Sequence, residues 1–192
     1  MGMAQPTYLH TLLAPPPTPL TLIYDLRYPP SSLRFPSSSP YAGCGIEALR
    51  VPLTPARPRQ IRLISPDFPW ALDIGDVRGG REGVTCLEVL TTLHSELQRR
   101  LTDTEWGAAG EDKRASLLRS RNSRLATVEK PRVRFADEVR GHEQRDSALL
   151  RVDWLGPCVN FLGLVKDEEF VKRRRIPGEG ECPETWVVKF LS

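Results

Sequence analysis

Residues able to do chemistry are sparse in this sequence, and their spacing limits what they could do. Arg151 and Asp153 lie two apart in RVDW. On a β-strand such residues share a face, so the two could line a site together. With a second carboxylate nearby, Asp153 could serve a hydrolase or transferase as acid or base. A pocket converging on Asp153 would favour that chemistry, and a shallow surface on which the two charges satisfy each other would favour a binding module. A cross-strand charge pair explains the spacing more simply and is the reading adopted. Asp25 and Glu105 are read in the same way.

No catalytic residue is assigned. The GxSxG nucleophile elbow is missing, and His10, His94 and His142 lie in three unlike settings. His94 sits beside the apolar stripe of a helix, which suits a structural imidazole, and His142 falls in a charged tract. Cys44, Cys86, Cys158 and Cys182 are far apart and form no CxxC pair. They offer no tetrahedral zinc set and read as reduced thiols, some of them core filler. No metal and no cofactor is expected. GCGIEA (43–48) matches a dinucleotide-binding glycine pattern in letters only. FPSSSPYA precedes it and LRVPLTP follows, so no strand leads into a helix N-terminus that could meet a pyrophosphate. Trp70, Trp106 and Trp154 read as core and sheet-edge packing.

The elements that must position these residues come from periodicity. LTLIYDL (20–26) is a short β-rich run closed by RYPPSS. QIRLIS and WALDIGDV alternate apolar and polar residues and predict two antiparallel strands joined by a proline-bearing turn. GREGVTCLEVLTTLHSELQRRL predicts a helix. Thr85 and Glu88 form a capping box, and Leu87, Leu90, Leu93, Leu97 and Leu101 make one apolar stripe. Thr102 and Glu105 repeat the box, so a short second helix carries Trp106. EDKRASLLRSRNSR is a third helix with a thin apolar face of Ala115, Leu118 and Leu125. Residues 126–147 are polar and read as a loop insertion. ALLRVDWLG and CVNFLGLV predict a hairpin across Gly156-Pro157. KDEEFVKRRRIPGEGECPE reads as a polar connection, and TWVVKFLS as a last strand with Trp186, Val188 and Phe190 on one face. This order implies an α+β domain, an antiparallel sheet covered on one side by two or three helices.

Bulk properties agree with a single domain over 20–192 behind an extended Pro-rich lead-in, 1–19. The chain has 192 residues, net charge +3 and 18 prolines crowded toward its beginning. That charge generates no strong field for a polyanion. The arginines of 114–124 and the KRRR run (Lys172–Arg175) could touch nucleic acid only if they shared one face. Acidic neighbours cancel most of the field around KRRR, and nucleic acid is not the expected partner. No signal-peptide pattern opens the sequence and no apolar run reaches membrane-spanning length. An intracellular protein, cytoplasmic or nuclear, is expected.

Taken in order, YDLRYPP, FPWALDI, GVTCLEVLTTLHSEL, TEW, a run of arginines, RVDWLG and FLGL resemble a family of fungal, mostly basidiomycete, proteins catalogued only as a domain of unknown function. The likeness runs from about Leu9 to Leu164 and rests on Asp25, Trp70, Thr85, Glu105, Trp106, Arg151 and Asp153, whose roles it does not assign. The long 126–147 tract departs from the family pattern. The resemblance implies an intracellular fungal α+β domain and no activity.

One segment points to a partner. In KPRVRFADEVR, Arg132, Val133 and Phe135 resemble the motif with which regulatory proteins dock type-1 protein phosphatase. An extended peptide adds to a sheet edge, and apolar residues two apart enter adjacent pockets. Lys130 and Arg132 before the motif, with Asp137 and Glu138 after it, follow the usual charge order, and Pro131 favours extension. The sequence thus describes a non-enzymatic binding or scaffold module with a protein partner.

Overall fold

A computed structural model describes residues 8–15, 20–75, 83–128, 148–174 and 184–191. The docking residues Arg132, Val133 and Phe135 lie outside these, as do His142, Arg175 and Cys182.

The α+β architecture is present. β1 (Gln60–Ile64) and β2 (Leu72–Gly75) form the antiparallel pair that their alternation implies. Ile61 faces Ile74 and Leu63 faces Leu72, all buried. On the opposite face Arg62 and Asp73, partners in the same register, form an ion pair at 2.7 Å. β3 (Asn160–Val165) and β4 (Glu184–Leu191) complete a sheet of order β2-β1-β4-β3. β4 runs antiparallel to β3 but parallel to β1, so the expected all-antiparallel sheet is mixed. The composition of β4 suits its inner position. Trp186, Val188 and Phe190 join the main core, and Val187 between them is fully buried as well, a strand apolar on both faces.

α1 (Cys86–Leu97) packs on β2 through Val89, Leu90, Leu93 and Leu97. Its start is the capping box: the Glu88 amide donates to Thr85 Oγ1 at 3.2 Å, and the Thr85 amide donates to the Glu88 carboxylate at 2.8 Å. α2 (Asp103–Ala108) opens on the same device, with Thr102 and Glu105. α3 (Glu111–Val128) extends three residues into the tract expected to be loop, and it packs on the 151–155 turn. Among its described side chains the buried one is Leu117, while Leu118 of the expected apolar face is 38% exposed and Ala115 is exposed too.

Three expectations change. Residues 148–156 form no strand: Arg151–Leu155 is a 3₁₀ helix closed by Gly156 at φ +65. Its alternating letters mislead because Val152, Asp153, Trp154 and Leu155 are all buried, so the segment has no solvent face for alternation to report. The run 20–26 is not a regular strand but makes two isolated bridges, Ile23 with Arg34 and Asp25 with Asn160. Leu22, Tyr24 and Leu26 still point into the core. The polar connection after β3 contains a short helix, α4 (Glu168–Arg174).

Part of the lead-in belongs to the body. Leu12 and Leu13 are buried, and the Leu164 amide donates to the Leu13 carbonyl at 2.8 Å. Gly163, at the irregularity in β3, lets this crossing happen. A Cβ there would stand 2.9 Å from the Leu13 oxygen and 2.7 Å from the Pro15 nitrogen. Among the described residues, no helix is long and apolar enough to cross a membrane.

Candidate functional site

Arg151 brings two of the other sequence candidates, Glu105 and Trp70, to one point. Its Nε donates to Glu105 Oε1 at 2.9 Å and its Nη2 approaches the same oxygen at 2.6 Å; its Nη1 donates to Glu96 Oε2 at 2.9 Å. Its guanidinium carbon lies 4.8 Å from the centre of the Trp70 ring. Trp70 stacks on Phe68 at 5.4 Å and meets Trp154 edge-on at 5.6 Å. One side chain thus ties α1, α2 and the turn after β1 to the 151–155 turn. Cation–π contact strengthens where the cation is desolvated, and the Arg151 side chain is only 14% exposed. Burial alone would push the Glu105 carboxyl up, but the Thr102 amide, the Arg151 guanidinium and the Thr102 hydroxyl outweigh it and hold it below the usual carboxylate range.

Two further cations brace this cluster. Lys113 lies 5.1 Å over the Trp154 ring and donates to the Trp154 carbonyl at 2.6 Å. Burial lowers its pKa, an effect that Asp67 and Cys158 partly oppose. Arg114 lies 5.4 Å over Trp106 and donates to the Trp106 and Gly107 carbonyls.

Asp153 belongs to a separate pair. It is 3% exposed and accepts from Arg124 Nε at 2.9 Å, from Arg124 Nη2 at 2.8 Å and from the Leu150 amide at 2.8 Å. Arg124 Nη2 also donates to the Ala148 carbonyl at 2.8 Å. The expected shared face of Arg151 and Asp153 is therefore absent. At about three residues per turn, positions two apart diverge, and each charge takes its own partner.

The remaining candidates scatter. Thr85 is a helix cap. Asp25 holds the Arg27 guanidinium through both carboxylate oxygens, with contacts of 2.6–3.0 Å, and also accepts the Arg27 amide. His94 Nδ1 and the Gln98 amide nitrogen both contact the Leu26 carbonyl, at 3.1 and 3.0 Å, so this imidazole pins a loop. Residues 46–49 of the GCGIEA region form a 3₁₀ turn. Cys86 is fully buried and burial pushes its thiol up to about 12, whereas Cys44 is exposed. Among the described residues no His, Cys, Asp and Glu side chains cluster in a metal-holding group. Of the KRRR run, Arg174 donates to the Ser65, Phe68 and Pro69 carbonyls and so closes the turn between β1 and β2.

A cleft of about 510 Å³ opens between α3, the 151–157 turn and Arg27, and Asp153 contributes to its wall. Sequence reasoning passed over Glu96, Arg124 and Arg27, the partners of Arg151, Asp153 and Asp25. Only Arg27 carried a local signal, being two residues beyond an Asp that turns the chain. The other two meet their partners across 55 and 29 residues.

A family model described as a family of unknown function (DUF6699) matches residues 22–174, the span holding all of these pairs. No curated protein and no solved structure matches.

Proposed function

The chain belongs to DUF6699, a family of unknown function, and from that premise we propose a non-enzymatic binding or scaffold module that docks type-1 protein phosphatase through Arg132, Val133 and Phe135. One observation carries the non-enzymatic half. The charges that the sequence offers for chemistry are matched within the fold: Arg151 by Glu96 and Glu105, Asp153 by Arg124 and the Leu150 amide, Asp25 by Arg27. A general acid or base needs a lone pair or proton free for substrate, and three N–H donors already occupy the Asp153 carboxylate. The docking half is supported by sequence, with Val133 and Phe135 two apart between basic and acidic flanks. We place the module inside a fungal cell, in cytoplasm or nucleus, on the strength of the resemblance. The test is binding of a 126–147 peptide to the phosphatase catalytic subunit. Affinity should fall at least about tenfold when Val133 and Phe135 are both changed to Ala, each losing a buried apolar anchor. Equal affinity for both peptides ends the docking reading.

A second reading, a hydrolase or transferase working through Asp153, is favoured by the position of that carboxylate in the cleft wall. Saturable turnover of p-nitrophenyl esters or phosphates that vanishes in Asp153→Asn, in protein shown to be folded, would replace the first reading with the second.

A further inference from the structure

The cleft between α3 and the 151–157 turn is rich in hydrogen-bond donors. Three guanidinium groups reach it, from Arg27, Arg119 and Arg124. Two are fixed by carboxylates: Arg27 by Asp25 through Nε and Nη2, Arg124 by Asp153 through the same two atoms. A guanidinium gripped in this way keeps its orientation, and in Arg27 it leaves Nη1 outside the Asp25 contacts. Arg119 differs. It is exposed and makes no ion pair or hydrogen bond among the described residues. Ser116, Ser120 and Ser123 share its helix face, at the spacing that puts side chains in one column; the Ser120 hydroxyl is spent on the Ser116 carbonyl at 3.0 Å, which leaves those of Ser116 and Ser123. Asn160 closes the far end with an amide that likewise makes no side-chain hydrogen bond among the described residues. Among the described residues of the wall Asp153 is the one carboxylate, and three N–H donors already engage it. Exposed Pro157 supplies an apolar spot beside these groups, backed by Val152 and Val159, which are almost wholly buried.

Among the described residues, such a lining carries one uncompensated cation and a surplus of N–H and O–H donors over open acceptors. Its complement is an oxygen-rich anion with an organic part. Carboxylates offer two acceptor oxygens, while a phosphomonoester offers three and carries a charge of about −1.5 to −2 at neutral pH. Its extra oxygen matches donors arriving from α3, from Arg27 and from Asn160. The volume falls within the usual range of about 300–1,000 Å³ for ligand sites. We propose that this cleft binds a phosphomonoester, the phosphoryl group held by Arg119 and Arg27 with the Ser116 and Ser123 hydroxyls, and the organic part resting on Pro157. The site is independent of the 132–135 docking reading and stands if that reading fails.

The full chain titrated with phenyl phosphate, followed by amide chemical shifts, tests this. Saturable shifts should appear in residues 116–124 and 151–160 and weaken as salt rises. Arg119→Ala should weaken binding roughly tenfold or more, the loss expected for a charge-assisted contact. Because Arg119 makes no contact that holds the fold, the melting temperature should stay unchanged. Ser123→Asp, which puts a like charge beside the phosphoryl group, should weaken binding at least as much. A parallel titration with a phosphoserine peptide identifies the source: tighter binding than phenyl phosphate assigns a modified protein, equal binding a small phosphorylated metabolite. Absence of saturable shifts with either probe overturns the proposal, as does unaltered affinity in Arg119→Ala. Equal response to benzyl alcohol would overturn it too, since that probe has the ring without the phosphoryl group.

Discussion

Arg151 shares Glu96 with Arg99, but among the described residues it is the cation that meets Glu105. Changing it to Ala leaves Glu105 without a cation among the described residues, uncovers one face of Trp70 and removes the side-chain link from α1 and α2 to the 151–155 turn, leaving the backbone bonds at Arg99 and Leu101. Removing one partner of a largely buried ion pair costs about 3–5 kcal/mol, so Arg151→Ala should lose that much stability in urea unfolding. Arg151→Lys should recover little of it, because a single ammonium cannot reach two carboxylates and lie flat on an indole. Arg62 provides the contrast. Its partner Asp73 is 44% exposed on the outer face of the sheet, and Arg62→Ala should cost only about 0.2–1 kcal/mol, as solvent-screened pairs do. Equal losses in the two variants would mean that Arg151 is no more than a surface charge. The sequence marked Arg151 as notable but aimed it at Asp153, since two-residue spacing says nothing about carboxylates arriving from other helices.

Elements whose cause is local could be read directly. α1 and α2 each begin at a threonine whose partner glutamate lies three residues on, and both boxes close as expected. Thr85→Ala should therefore cost about 1 kcal/mol, the usual loss of an N-cap hydroxyl. Thr85→Ser, which keeps the acceptor, should cost clearly less; urea midpoints measure both. If Ser and Ala behave alike, the hydroxyl is not what starts α1. The 151–155 turn shows the opposite case. Its conformation depends on Asp153 taking the Leu150 amide while Arg124, from the middle of α3, holds the carboxylate. Arg124 cannot be found from a nine-residue window, and an apolar segment buried on every side imitates a strand. The helix 168–174 was hidden for a related reason. It has no buried residue, so no apolar stripe announced it.

At the scale of the molecule, the class of fold was legible and the strand arrangement was not. Alternation reports which face of a strand is buried, not which strand lies beside it, so the parallel contact of β4 with β1 left no local trace. The core built by this arrangement can be probed through its thiols. Cys86, fully buried at the start of α1 with its thiol pushed up to about 12, should resist a thiol reagent at pH 8 until the protein unfolds. Exposed Cys44 should react at once. Mass spectrometry of partly labelled protein should find Cys44 modified and Cys86 intact, with Cys86 labelling speeding up in step with added urea. Prompt labelling of both would show that α1 does not seal the core.

The place of β4 also dictates when the molecule can be finished. As the ribosome makes the chain, β1 can pair with β2 once residue 75 has followed it, yet its other edge has no partner strand until residue 184 is made. β3 likewise waits beside an empty lane for its neighbour. A nascent protein stalled before β4 would carry a two-stranded ribbon and a lone strand with nothing between them, each offering unpaired amides and carbonyls to other chains.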